Sequence, residues 1–220
     1  LALIDCHTHS NCSDGCRAPE SLINEAIFAQ KKLAELATTD QKRREILSSK
    51  VIVGLTDHDT VSGIRPALVE IARLEEEKNI RPGQIVLLPG IEFSTYVQLG
   101  KVDFETHILG YFNPKHLERV ELFIQRYRAA RLKRVKAILV SLEKNSFYPP
   151  CKNHEKIPPV QITIEELVNE CKSSHSIGRK HVAEAIVKKG RAKDISEAFK
   201  LFFYSGSPAN VKKILPSPQE

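Results

Sequence analysis

The stretch DCHTHSNCSDG, residues 5–15, decides how this chain is read. It follows the apolar run LALI and puts two of the chain's eight histidines two apart, with an aspartate five residues after the second. Residues two apart on a strand share a face. His7 and His9 therefore point the same way, with Asp5 beside them, while Cys6 and Thr8 point oppositely. Two imidazoles on one face at the end of a strand can grip one metal ion. SDG is a turn sequence, and from it Asp14 can reach back over the strand end.

Working outward, residues 1–9 read as a strand and Pro19 opens a helix. TTDQKRREILSSK reads as a polar break and a short helix, VIVGL (51–55) as a buried-type strand, and residues 63–78 as a helix. IVLLPG, IEFSTYV and THILGYF read as three strands. Strand and helix thus alternate over the first 112 residues, which favours parallel βα units. In parallel α/β folds, sites collect at the carboxyl ends of strands. Three more strand ends carry metal-ligand chemistry: Asp57, His58 and Asp59 in TDHDT, Glu92 after PGI, and His107 in THILGYF. Packing gives no reason for so many such groups near one rim.

Mixed imidazole and carboxylate donors suit Mn, Zn or Fe rather than a Cys-rich structural zinc. The number of donors allows two or three divalent ions. Ions roughly 3.5–4 Å apart clamp a phosphate and acidify a water between them, so phosphate-ester hydrolysis is the chemistry expected. No Gly-rich phosphate loop or GxSxG elbow competes with it. Asp5 and Asp57 are candidates for orienting the imidazoles from behind.

The pattern changes after residue 112. HLERVELFIQRYRAARLKRVKAILVSLEKN reads as one long amphipathic helix. Thr163 with Glu166 begins a short helix, GRKHVAEAIVKKG forms another closed by Gly190, and Asp194 with Glu197 caps a third. Residues 1–112 are therefore expected to form the first part of the α/β scaffold, 113–205 a helical insertion, and 206–220 a return to the scaffold.

The net charge is +6, and residues 115–144 carry nine basic against three acidic side chains, so the excess sits on the long helix. A polyanionic ligand or a solvated face both account for it. Arg131 and Arg134, three apart, and Arg179 with His181 at a helix start are the candidate phosphate contacts. His116, His154 and His175 read as surface or loop residues. Five cysteines without a CxxC pair suggest reduced thiols in a cytoplasmic setting. No apolar run is long enough for a membrane span, and no signal peptide is visible. Ser217, Pro218 and Glu220 spell a helix start, so the natural chain is expected to continue past Glu220.

DCHTHS–SDG, LTDHDT, PGIEFST and THILGYF resemble the successive motifs of the PHP (polymerase and histidinol phosphatase) superfamily. IGRKHVAEAIVKKG, with the basic helix, is similar to the branch that acts on nucleoside 3′,5′-bisphosphates and short RNA ends. Extra length between Phe28 and Lys50 departs from the family pattern at the surface. The resemblance implies a distorted (β/α)7 barrel, here partial, with a helical insertion and a trinuclear site. It implies that His7, His9 and Glu92 hold one metal, Glu92 and His107 a second, and Asp14 and His58 a third. Each set lacks one ligand, which the family supplies from an HP motif and a D-x-H motif further along the chain. The implied activity is a metal-dependent phosphoesterase, either a nucleoside bisphosphate phosphatase or a 5′→3′ exonuclease on short RNA. The implied partners are a phosphorylated small molecule, a nucleotide or a short RNA. Histidinol phosphate fits less well, because so small a substrate needs no basic insertion. The alternative is an inactive metal-binding module that serves as an interaction scaffold.

Overall fold

A computed structural model describes residues 2–99, 102–149, 156–170 and 176–214. Cys151, His154, Cys171, His175 and the helix-start sequence at 217–220 lie outside the described residues. The chain divides into two compact units, Leu1–Ser94 with His107–Ile124, and Thr95–Thr106 with Gln125–Glu220.

The first unit is built as strand and helix in alternation: β1 (Ala2–Thr8), α1 (Pro19–Glu35), α2 (Asp40–Ser48), β2 (Lys50–Leu55) and α3 (Ile64–Glu76). Then come β3 (Ile85–Leu99) and β4 (Val102–Tyr111), whose far ends fall in the second unit. The sheet order is β1-β2-β3-β4, with β1–β2 and β2–β3 parallel. Only two residues separate β3 from β4. Parallel neighbours need a crossover of a dozen residues or so, so this pair runs antiparallel.

Alternation along β2 and β3 places Val51, Val53, Leu55, Ile85 and Leu87 on one face. They share a core with Ile23 and Ile27 of α1 and with Ile64, Ala67 and Ile71 of α3. Pro19 stands at the start of α1, where its missing N–H costs nothing. Thr39 caps α2, accepting from Lys42 N–H at 3.2 Å. The buried Gln30 amide donates to the carbonyls of Ile46 and Ser49, which fastens the end of α2 to α1.

The sequence suggests two strands broken at Pro89–Gly90, but β3 runs straight through them. Pro89 keeps its place opposite Leu55 and lends its carbonyl to Phe112 N–H. Gly90 answers a close approach rather than a turn. A Cβ there would come within 2.7 Å of the Thr56 methyl and 2.9 Å of the Tyr111 ring.

In the second unit the long helix α4 (Leu117–Lys144), which begins in the first, is followed by α5 (Ile164–Glu170), α6 (Arg179–Lys188) and α7 (Ile195–Phe202). Ile138, Leu142, Phe147, Leu167, Val182, Ile186 and Phe202 form a separate apolar core. The expected caps are formed. Thr163 and Glu166 exchange hydrogen bonds at 2.8 and 3.2 Å, Asp194 accepts from Glu197 N–H at 2.8 Å, and Gly190 leaves α6 with φ +67°. No helix among the described residues is long and apolar enough to cross a membrane.

Candidate metal centre

The parallel register carries the candidate ligands together. Val51 pairs with Ile85 and Leu55 with Pro89, an offset of 34, and the same offset brings His58 opposite Glu92 in an isolated bridge beyond β2. Asp59 N–H donates to the Glu92 carbonyl at 3.1 Å and Glu92 N–H to the Asp57 carbonyl at 3.2 Å. On the other side β1 pairs with β2, with a register shift between Asp5 and Thr8, the span that holds Cys6 and His7. The 10–15 loop then folds on the Ser10 carbonyl, which accepts from Ser13 N–H at 3.1 Å and Gly15 N–H at 2.9 Å. This returns Asp14 to His9, as the SDG turn suggests.

Four imidazoles follow one another at the rim. Ring centroids are 5.0 Å apart for His7–His9, 4.7 Å for His9–His58 and 4.8 Å for His58–His107. Glu92, 5% exposed, threads them. Its Oε2 lies 2.7 Å from His7 Nε2, 2.8 Å from His9 Nε2 and 3.9 Å from His58 Nδ1, and its Oε1 meets His107 Nδ1. Asp14 reaches His9 Nδ1 at 3.3 Å and His58 Nε2 at 3.7 Å. Three overlapping donor sets result: His7, His9 and Glu92; His9, Asp14 and His58; His58, Glu92 and His107. Within each set the donor atoms lie within 4.8 Å of one another.

The donor spacing fits divalent metal. Bonds of roughly 2.0–2.1 Å at right angles put neighbouring donors about 2.9 Å apart, against about 3.4 Å for a tetrahedron. The His7, His9 and Glu92 triangle has sides of 2.9, 2.7 and 2.8 Å. It matches one face of an octahedron.

Electrostatics agree with a site shaped for cations. Burial pushes the Glu92 carboxyl up, but His7, His58 and His107 overcome this and hold it below the usual carboxylate range. Burial works against charge on His9, yet the Asp14, Glu92 and Asp57 carboxylates outweigh it and raise its pKa.

The residues expected behind the ligands behave differently from each other. Asp5 accepts from His7 backbone N–H at 3.1 Å and so steadies the strand rather than a ring. Asp57 is 1% exposed and accepts from Ser10 N–H at 2.7 Å, Ser10 Oγ at 2.6 Å and Ser13 Oγ at 2.6 Å. It serves the imidazoles through the loop. Burial raises its pKa against these three bonds. Ser10 and Ser13 escape notice in the sequence because hydroxyls in a turn are common; S-x-x-S-D-G is the only hint.

The candidate phosphate contacts all lie in the second unit. Arg134 is 8% exposed, donating to Glu105 at 2.6 Å and to the Val211 carbonyl at 2.8 Å. Arg179 donates to the other oxygen of Glu105 at 3.0 Å and keeps a third of its side chain exposed. Arg131 donates to the Ile177 carbonyl at 3.0 Å, and its guanidinium fills the space beside Gly178. Burial opposes the charge of Glu105, but Arg134, Arg179 and Lys213 hold its pKa below the usual range. His181 Nδ1 accepts from Gly178 N–H at 3.0 Å and so closes the start of α6.

No family model matches the chain. The chain is 27% identical over 210 residues to the 5′-3′ exoribonuclease Rnm of Escherichia coli (strain K12), covering 95% of this chain and 56% of that protein. It is 27% identical over 208 residues to a 5′-3′ exoribonuclease of Haemophilus influenzae, covering 94% of this chain and 59% of that one. The PHP resemblance holds. The chain thus spans somewhat over half the length of the curated relatives it matches. Among solved structures, an amidohydrolase from Chromobacterium violaceum with bound sulfate and no metal superposes with TM-score 0.61, at 23% identity over 93% of this chain and 56% of that one. A protein from Bifidobacterium adolescentis assigned as a metal-dependent phosphoesterase gives TM-score 0.57, at 24% identity over 99% of this chain and 59% of that one. These two show the fold, a mixed α/β partial barrel.

Proposed function

We propose that this chain is the metal-holding part of a phosphoesterase that hydrolyses phosphate esters of nucleotides. The observation that carries the proposal is the sharing of Glu92 by two of the three donor sets, its Oε2 toward His7 and His9 and its Oε1 toward His107. Such sharing suits adjacent ions better than one isolated ion. Two or three divalent ions held there, Mn, Zn or Fe, would supply positive charge for a phosphate and acidify an attacking water. His7, His9 and Glu92 would hold one, Glu92 and His107 a second, and Asp14 and His58 a third.

The chain's own residues prepare this site. Glu92 stays ionised despite its burial, so the imidazoles have a fixed counter-charge. Asp57 fixes the loop that carries Asp14, and the bridge at His58 keeps Glu92 in register. In the second unit, Arg179 keeps a third of its side chain exposed and is the proposed contact for a phosphate of the substrate. Glu105, itself held by Arg134, holds Arg179, and Arg131 and His181 support the start of α6. We assign residues 113–205 to a helical insertion that carries this basic surface.

Likeness to 5′-3′ exoribonucleases makes a nucleotide or short RNA end the proposed substrate, in a cytoplasmic setting. The inactive-scaffold alternative has no observation in its favour, because six donors stand together at the rim. The deciding experiment uses the full-length gene product with a nucleoside 3′,5′-bisphosphate and a 5′-labelled short RNA. Release of phosphate marks a phosphatase and release of mononucleotides an exonuclease. His9→Ala should abolish either activity, and unchanged turnover would remove the proposal.

A further inference from the structure

Ser13 is 3% exposed, and its hydroxyl stands between two groups. It donates to Asp57 Oδ1 at 2.6 Å and lies 3.4 Å from His9 Nδ1. With its proton directed to Asp57, the hydroxyl faces His9 as an acceptor. An acceptor at that nitrogen selects the tautomer with the proton on Nδ1. His9 Nε2 is then the lone-pair nitrogen, at 2.8 Å from Glu92 Oε2 and 2.9 Å from His7 Nε2.

Asp57 has no freedom to turn away. Ser10 N–H and the Ser10 hydroxyl hold its two oxygens at 2.7 and 2.6 Å. Gly63 lies so close that a Cβ there would come within 2.9 Å of Asp57 Oδ2. Asp14 also approaches His9 Nδ1, at 3.3 Å, but Asp14 belongs to a donor set itself. A carboxylate shared with a cation is a poorer acceptor. Ser13 belongs to no donor set, so it can hold the ring whatever Asp14 binds.

We propose that Ser13, carried on Asp57, is a positioning residue that keeps His9 in the Nδ1–H form with Nε2 presented as a metal donor. This rests on the metal reading of His7, His9 and Glu92, and it assigns their alignment to a hydroxyl outside the ligand set. Partners of ligating histidines are typically worth about 10–100-fold in metal affinity.

The test uses the full chain with Zn²⁺ as the probe. Two-bond ¹H–¹⁵N spectra of the Zn²⁺-loaded protein read which His9 nitrogen carries the proton, and titration reads the Zn²⁺ Kd. The proton is expected on Nδ1 in the wild type. Ser13→Ala should show mixed tautomers and bind Zn²⁺ about 10–100-fold more weakly. Ser13→Thr, which keeps the hydroxyl, should restore both values. A wild-type His9 protonated on Nε2 overturns the proposal, and this spectrum decides even if Ser13→Ala does not fold. So does a folded Ser13→Ala with unchanged tautomer and Kd, or a folded Ser13→Thr as weak as Ser13→Ala. His9→Ala separates the two levels. Unchanged Zn²⁺ binding there removes the metal reading and this inference with it, whereas weakened binding there beside an unchanged Ser13→Ala removes only the role of Ser13.

Discussion

Gly15→Ala gives the sharpest test of how the centre is built. Gly15 is the residue after Asp14, and its backbone lies against the strand end. A Cβ at Gly15 would stand 2.2 Å from the His9 carbonyl oxygen, 2.5 Å from the His9 carbonyl carbon and 2.7 Å from the Ser10 oxygen. All three are backbone atoms, so no side-chain rotation relieves the contact. Ordinary contact begins near 3.4 Å, so the loop must move by about 1.2 Å. The shift falls between His9 and Asp14, which meet at 3.3 Å and share a donor set with His58. A misplacement of about 1 Å in a preorganised site costs about a hundredfold, or about 2.8 kcal/mol at about 1.4 kcal/mol per tenfold.

The assay is Zn²⁺ or Mn²⁺ titration with metal content measured by mass spectrometry. One equivalent should be lost or weakened about a hundredfold. Gly83→Ala is the control. Gly83 has φ +68° and no atom within 4 Å of its Cβ position, so alanine there strains the backbone by roughly 1–2 kcal/mol without touching the site. It should lower the melting temperature and leave the metal Kd alone. Full occupancy and unchanged affinity in Gly15→Ala would refute the claim that the 10–15 loop places Asp14 as a ligand.

Glu92→Gln keeps the volume and removes the charge shared by two donor sets, so metal content should fall to at most the equivalent held by His9, Asp14 and His58, read by mass spectrometry after desalting. The raised pKa of His9 means that protons compete for its ring at higher pH than for an ordinary histidine. Metal affinity should therefore weaken as pH falls, beginning at a higher pH than for an ordinary histidine site, and calorimetry in buffers of different ionisation enthalpy should show proton release on binding. Leu142 is fully buried in the core of the second unit, so Leu142→Ala should cost about 2–5 kcal/mol in denaturant unfolding.

The candidate donors are legible in the sequence because strand periodicity does the sorting. His7 and His9 share a face by the rule of two, and Asp14 returns on a turn whose residues announce it. Their meeting with His58, Glu92 and His107 was legible only as an expectation about strand ends. The offset of 34 that seats His58 opposite Glu92 is a property of pairing, and no local pattern encodes it. Pro89–Gly90 shows the opposite failure. A dipeptide that usually ends a strand here lies within one, because the Thr56 methyl and the Tyr111 ring crowd the space a side chain would need. The basic helix misled in another way. Arg131 and Arg134 look like surface charge by composition, yet both guanidiniums turn onto backbone carbonyls of their own unit.

TDHDT repeats in miniature what HTH does on β1. Asp57 and Asp59 are each 1% exposed, while His58 lies between them and takes its place among the donors. Asp57 holds the 10–13 loop through its side chain and Glu92 through its carbonyl. Asp59, with φ +50°, accepts from Ser94 N–H at 2.9 Å, two residues past Glu92. The histidine thus joins the candidate donors from a turn whose two carboxylates accept from backbone and hydroxyl donors. That division matters for the chemistry. Were Asp57 or Asp59 to swing toward the rim, a buried carboxylate would join the ligands and the loops it holds would lose their fixed ends. Buried charges persist when their hydrogen bonds are satisfied, and here the satisfaction of two aspartates keeps the loop of Asp14 and the strand of Glu92 at the spacing the donors require.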